Sequence, residues 1–376
     1  MVPQKIFSLL SYCEDRRFLI FSGFSLSFSA LDNNLKAAQP QTMKGRKTMK
    51  TNLRKSTVTK LIALLAVMAL VFSFASCSGK EEEKAVIGIS QYAVHGSLDN
   101  CRTGFIEGLK EAGLTEGKDF EILYENAGTD DNLNQQIAMN FAAKNVDLMC
   151  AISTPSAAAC FAAAEDKNIP VVFTAITDPV KAGLTEGNVT GTSDKLPVEA
   201  QLELIRSMQP DADTIGIIYT LSEPNSVSAI EEYKTKAPGY GFTIEAIGVA
   251  AQSEIALAAD TLISKKVDCF SNLTDNNVVE VLDSILEKTD AASIPVYGSE
   301  IEQVAKGCVA SAGIDYVELG KITGAMAAQI IKGEAKASDM EYKTITEYST
   351  YINSKALASF NITVPADIAQ NAVEAE

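Results

Sequence analysis

Polar side chains able to grip a small molecule fall in six short clusters along the chain. The first is Gln91-Tyr92-Ala93-Val94-His95, and His95 is the only histidine in the sequence. A histidine here is a ligand contact or a structural cap, and metal ligation lacks a partner. Ser153-Thr154-Pro155-Ser156 is a hydroxyl cap followed by a proline in a first helical turn. The free N–H groups and positive dipole end of such a helix suit a carboxylate. Thr177-Asp178-Pro179 offers a carboxylate that either accepts from an ammonium group or caps the turn that the proline enforces. Glu223 and Asn225 form a fourth cluster, and Glu223 has three readings: pairing with a ligand, bridging to another part of the fold, or facing solvent. Asn272, Asp275 and Asn276 form a fifth, and Ser299 marks a sixth. At least one residue of the fifth must cap the helix that follows, which leaves Asp275 or Asn276 for a ligand.

These residues point to binding rather than turnover. A hydrolytic triad needs a histidine placed by a carboxylate against a nucleophile, and His95 has no such setting. No G-x-S-x-G, phosphate loop, G-x-G-x-x-G or H-E-x-x-H motif occurs. Asp178 and Asp275 keep a paired-carboxylate reading open. No cofactor is implied.

The clusters follow apolar strands that alternate with helices, and the pattern occurs twice. Strands over 85–90, 120–124, 147–152 and 169–174 are separated by helices over 104–112, 132–144 and 157–167, with Arg102 opening the first helix. Strands over 214–219, 242–248, 268–272 and 294–298 are separated by helices over 226–236, 254–265 and 278–288. The sister positions Ile87/Ile215, Phe120/Phe242, Asp147/Asp268 and Pro170/Pro295 are offset by 128, 122, 121 and 125 residues. Buried β-branched strands alternating with helices predict α/β architecture with parallel sheets covered on both faces. Two such units predict two similar doubly wound lobes. In open parallel sheets, ligands bind beyond the carboxyl ends of the strands, which is where the six clusters lie.

The segments 191–197, 307–313 and 336–340 are candidate crossings between lobes, and three crossings make a hinge. The lobes then comprise 85–194 with 314–336, and 195–313 with 337–376. The last part holds a helix over 316–332, an extended segment over 342–352, and an unassigned tail.

Residues 49–76 read as an export signal, with basic Lys50, Arg54, Lys55 and Lys60, the apolar run 61–74, and Ala75-Ser76-Cys77. The run is shorter than the ~20 residues that span a bilayer, so the segment is expected to be removed and Cys77 to carry a diacylglycerol. Residues 77–84 then form a tether, and 1–48 read as an extension from a misplaced start codon. Without 1–76 the chain holds 21 basic and 45 acidic residues, a net charge of −24. Such a surface repels nucleic acid and anionic lipid alike, which leaves the lipid as the anchor. Cys101, Cys150, Cys160, Cys269 and Cys308 show no metal or C-x-x-C spacing and read as packing residues.

The chain resembles the ABC-transporter substrate-binding lipoproteins of the tryptophan- and tyrosine-receptor type. The resemblance lies in Gln91–Asp99 with Arg102-Thr-Gly-Phe, Ala151-Ile-Ser-Thr-Pro155, Thr177-Asp-Pro179 and Asn188-Val-Thr-Gly-Thr-Ser-Asp194. It continues through Ser222-Glu-Pro-Asn-Ser226, Thr274-Asp-Asn276, Gly313-Ile-Asp-Tyr316 with Leu319-Gly320, and Tyr351-Ile-Asn353. It implies a type I periplasmic-binding-protein fold with the ligand between two lobes, and it points at Thr154, Pro155, Asp178, Glu223, Asn225, Asp275 and Asn276. It implies a monomeric, lipid-anchored extracytoplasmic receptor for an amino acid, often aromatic, that serves an ABC permease and ATPase. The residues suit an α-amino acid, with 153–156 for its carboxylate, Asp178 or Asp275 for its ammonium, and Tyr92 and Phe173 as stacking walls. A sensor domain feeding a signalling partner is the alternative. A transcription regulator would need a DNA-binding unit where the export signal stands.

Overall fold

The computed structural model describes residues 84–375. The export signal, Cys77, most of the tether and the upstream extension lie outside the described residues. Two α/β lobes are built on parallel sheets, as the repeat predicts. In the first, β1 (Ala85–Gln91), β2 (Phe120–Asn126), β3 (Leu148–Ile152), β4 (Val171–Thr174), β5 (Val189–Ser193) and β11 (Lys343–Thr344) stand in the order β11-β5-β4-β3-β1-β2. In the second, β6 (Thr214–Thr220), β7 (Thr243–Val249), β8 (Cys269–Ser271) and β9 (Val296–Tyr297) stand in the order β7-β6-β8-β9. The first four strands of each lobe therefore share one order. Val309 N–H donates to Val296 O (2.8 Å) and continues the second sheet into β10 (Ala310–Gly313), β12 (Ser349–Ile352) and β13 (Val373–Glu374).

The sister positions do the same work in each lobe. The Asp147 carboxylate accepts from Val86 N–H (2.7 Å), and that of Asp268 accepts from Thr214 N–H (2.8 Å). Pro170 O and Pro295 O each accept from the neighbouring strand, at Met149 and Phe270 (both 2.9 Å). Side chains alternate across the sheets: Ile215 and Ile217 of β6 enter one apolar cluster with Leu202 and Tyr233, while Ile218 enters another with Leu262 and Val278.

Helices α1 (Gly96–Glu111), α2 (Asp131–Lys144), α3 (Thr154–Ala164), α4 (Val198–Met208), α5 (Pro224–Lys236), α6 (Ile255–Ser264), α7 (Asn276–Glu280), α8 (Leu282–Ala291), α9 (Ile301–Lys306) and α10 (Tyr316–Ile331) cover the sheets. Three of the boundaries that differ from the sequence reading matter here. α1 begins at Gly96 rather than at Arg102, because its polar first two turns carry too little apolar periodicity to be read as helix. The helix expected over 278–288 is two helices broken at Val281, which has φ −106° and ψ 19°. The third crossing lies after β11, since Lys343 and Thr344 pair with Thr192 and Ser193 of the first lobe. It is not at 336–340, and the extended segment 342–352 belongs to both lobes. The tail forms α11 (Ser354–Ser359) and α12 (Ala366–Ala369) before β13. No described helix is long and apolar enough to cross a membrane.

Candidate functional site

β1 lies between β2 and β3, and β6 lies between β7 and β8, so each sheet changes winding direction beside its leading strand. The crevice at such a switch point is where open α/β sheets bind ligands. The segments after β1 and β3 of one lobe face those after β6 and β8 of the other, and direct hydrogen bonds join them.

Asn276 is the centre of that meeting. Its Nδ2 donates to Glu223 Oε2 (2.7 Å) in its own lobe and to Ser153 Oγ (2.9 Å) in the other. Its Oδ1 lies 3.2 Å from His95 Nε2. Both acceptors hold the amide in this orientation, so the His95 proton is assigned to Nε2 and Nδ1 is an acceptor. Burial lowers the His95 pKa to about 4, and the ring is neutral.

Glu223 is 1% exposed. Its oxygens accept from Asn277 Nδ2 (2.7 Å), from the backbone N–H groups of Asn276 and Asn277 (both 3.2 Å) and from Asn225 Nδ2 (3.2 Å), besides Asn276 Nδ2. Burial raises its pKa, the nearby Asp275 carboxylate adds to the rise, and the asparagine donors oppose it. Asn225 Nδ2 also donates to Thr274 O (2.9 Å). Two acceptor atoms in the cleft, His95 Nδ1 and Asn225 Oδ1, are buried without a partner among the described residues. Buried polar atoms are rarely left so, and both suit the donors of a bound molecule.

Across the cleft, the amino end of α3 has no side-chain cap. Ser153 stands at φ 84° and ψ 152°, a conformation that residues with side chains seldom adopt. Ser156 Oγ donates to Asn134 Oδ1 and Asn134 Nδ2 to Pro155 O (both 2.9 Å), which fixes α3 against α2. Tyr92 is buried, with its hydroxyl donating to Asp131 Oδ1 (2.8 Å). Its pKa is raised by burial, then by Asp131. On this side a cavity of about 630 Å³ opens between Asp131, Thr154 and Pro155 of one lobe and Ser222 and Pro224 of the other.

Several residues expected at the ligand are committed elsewhere. Asp275 caps α7, and its oxygens accept from Thr220 N–H (2.6 Å), Thr220 Oγ1 (2.9 Å), Ser226 Oγ (2.7 Å) and Val278 N–H (3.1 Å). No lone pair remains for an ammonium. Asp178 caps its turn through Lys181 N–H (3.0 Å) and accepts from Ser228 Oγ of the facing lobe (2.7 Å). Thr177 Oγ1 likewise meets Thr274 Oγ1 across the gap (3.1 Å). Gln91 spends its amide on Ala93 O and Arg102 (both 2.7 Å), and Asn272 and Ser299 both bond Gln303. Phe173 is a core residue, tilted against Tyr342 at 6.3 Å and packed on Gly191.

Contacts that the sequence reading missed close the opposite edge. Ser97 Oγ bonds Glu300 and Glu302 (2.8 Å to the latter), and Asn100 Nδ2 donates to Glu302 Oε1 (2.6 Å). Burial raises the Glu300 pKa, and Glu302 adds to the rise. At the first crossing Asp194 accepts from Tyr316 OH (2.9 Å) and Thr177 Oγ1 (3.3 Å), with its pKa pushed by burial up to about 6. Ser97 and Glu300 stand in segments that follow strand ends and are within reach of sequence reasoning, whereas Asn100 lies in the polar opening turns of α1, which carry no apolar periodicity.

Known proteins share this architecture. The profile of the ABC transporter substrate binding protein family matches residues 86–376. A tyrosine-binding protein of Clostridioides difficile (strain R20291) is 36% identical over 282 residues, spanning 73% of this chain and 81% of its own. The crystal structure of an ABC domain from Streptococcus pneumoniae in complex with L-Trp is 33% identical, covering 78% of this chain and 99% of that one, with TM-score 0.75. A ligand-free, open substrate binding protein with adhesive properties from Clostridium difficile is 36% identical over 78% of this chain and all of that one, with TM-score 0.58. The ligand-bound structure superposes better than the open one despite its lower identity, in keeping with lobes that touch across the cleft. Such proteins bind and do not catalyse, and by its match over nearly all the described residues this chain belongs to the ABC transporter substrate binding proteins.

Proposed function

We propose that this protein is the extracytoplasmic receptor of an ABC importer and captures an aromatic α-amino acid of the tyrosine or tryptophan kind. The supporting observation is a pairing within one buried cleft: an uncapped helix amino end on one lobe, and a carboxylate with an unfilled amide oxygen on the other. The ligand carboxylate sits at Thr154–Ser156 of α3, where N–H groups and the helix dipole favour an anion. The ammonium sits at the unfilled Asn225 Oδ1, where the adjacent Glu223 carboxylate, itself saturated by amide donors, favours a cation through its charge, a role that neither Asp178 nor Asp275 takes. Tyr92 supplies an aromatic wall.

A ligand held from both lobes binds the closed arrangement better than the open one and shifts the population toward it. The permease and its ATPase read the closed shape, and a lipid on Cys77 keeps the receptor at the membrane. The tyrosine-binding relative and the L-Trp-bound structure support the amino-acid class, and the unspent Asn225 Oδ1 beside a buried carboxylate supports a cationic group.

The chain contains no tryptophan, so indole-selective excitation leaves the free protein nearly dark. Added L-Trp should gain blue-shifted emission at one equivalent. Calorimetry against each proteinogenic amino acid decides the class, and absence of heat with all of them overturns it. Labelled fatty acid should enter the wild type and not Cys77→Ala.

A further inference from the structure

We propose that His95 reads the ring of the ligand, accepting on Nδ1 the phenol O–H or indole N–H of an aromatic amino acid and disfavouring a bare phenyl ring. This rests on the amino-acid reading above and adds a basis for selection among aromatic residues.

His95 is 7% exposed, and its two ring nitrogens have different fates. Nε2 meets Asn276 Oδ1, whose amide is fixed by Glu223 and Ser153. The proton is therefore on Nε2, and Nδ1 presents a lone pair with no partner among the described residues. The ligand's ammonium is assigned to Asn225 Oδ1 beside the Glu223 carboxylate, and its own carboxylate carries no donor. What remains to offer an N–H or O–H is the side chain. Tyrosine and tryptophan each hold one such donor on the ring, and phenylalanine holds none. A buried acceptor that one ligand fills and another leaves empty gives strong discrimination, whereas the apolar part of the ring gives little.

His95 also stands at the N-cap position of α1, without a side-chain cap bond, and joins the lobes through Asn276. A purely structural role would weaken all amino acids alike, and this difference makes the two roles separable. In His95→Gln the amide reaches the Nε2 position and keeps a partner for Asn276, while nothing replaces Nδ1. In His95→Asn the amide occupies the Nδ1 position.

Calorimetry with L-Tyr, L-Trp and L-Phe on the mature chain provides the test. The wild type should favour L-Tyr over L-Phe by about tenfold or more, as expected for a site that pairs a ligand hydroxyl. His95→Gln should bring that ratio within about threefold by losing tyrosine and tryptophan affinity, with phenylalanine affinity held. His95→Asn should retain the preference. Wild-type protein that binds L-Phe as tightly as L-Tyr overturns the assignment while the amino-acid reading stands, as does His95→Gln with its full preference intact. If no amino acid binds the wild type, the parent reading falls and takes this one with it.

Discussion

At the scale of single residues, the cleft separates carboxylates that look alike in sequence. Asp275 and Glu223 both follow strand ends and both are consumed by donors of their own lobe, but only Glu223 stands beside an unfilled amide oxygen, that of Asn225. Asp275→Ala should therefore lower stability by about 3 kcal/mol in denaturant unfolding, because it strands several buried donors. Glu223→Gln should lose about tenfold or more in amino-acid affinity by calorimetry, since the negative charge that favours an ammonium at Asn225 Oδ1 goes. Ser153→Gly should do the reverse of a usual core change. It relieves a strained backbone worth about 1 kcal/mol or more, so the melting temperature rises, while loss of the Asn276 contact weakens ligand binding.

At the scale of elements, α1 connects the hinge to the cleft. Gly104 and Gly108 of α1 face Gly320 and Gly324 of α10 so closely that a Cβ on Gly104 would lie 2.0 Å from Val317 O, and one on Gly108 2.2 Å from Lys321 O. Only glycine lets two helix backbones approach this far. α10 begins just after the second crossing, and α1 begins with His95 and Ser97 in the cleft. The pair thus moves as one body. Gly104→Ala should cost about 2–3 kcal/mol of stability, as overpacking against backbone does, and should impair ligand-induced closure in scattering. Those glycines were visible in the sequence, but their partners lie over 200 residues away, and periodicity carries no information on which helices touch.

At the scale of the whole molecule, closure buries titratable groups with opposite preferences. His95 is neutral when buried, with its pKa lowered to about 4 from the ordinary 6.5. As pH falls between those values the open form takes up a proton that the closed form refuses, and closure weakens by up to about tenfold per pH unit. Glu300 is raised above its ordinary 4.5, so the closed form keeps a proton that the open form releases. Closure therefore also weakens as pH rises from 4.5 toward the raised value. Affinity against pH should fall on both sides, and Glu300→Gln should flatten the alkaline limb alone. A pH-independent affinity between 4 and 8 would contradict the interlobe contacts of both groups.

Legible from the residues alone were the doubled α/β unit, the strand ends where the polar clusters gather, and the equivalence of Asp147 with Asp268 and of Pro170 with Pro295. Those features are local, set by alternation, turn residues and a fixed offset along the chain. Tertiary structure decided which polar residues remain unspent, because an asparagine or carboxylate is free only when every nearby donor has been counted. It also decided where the third crossing falls, since the two strand residues at 343–344 gain their identity from pairing with Thr192 and Ser193 rather than from their own pattern.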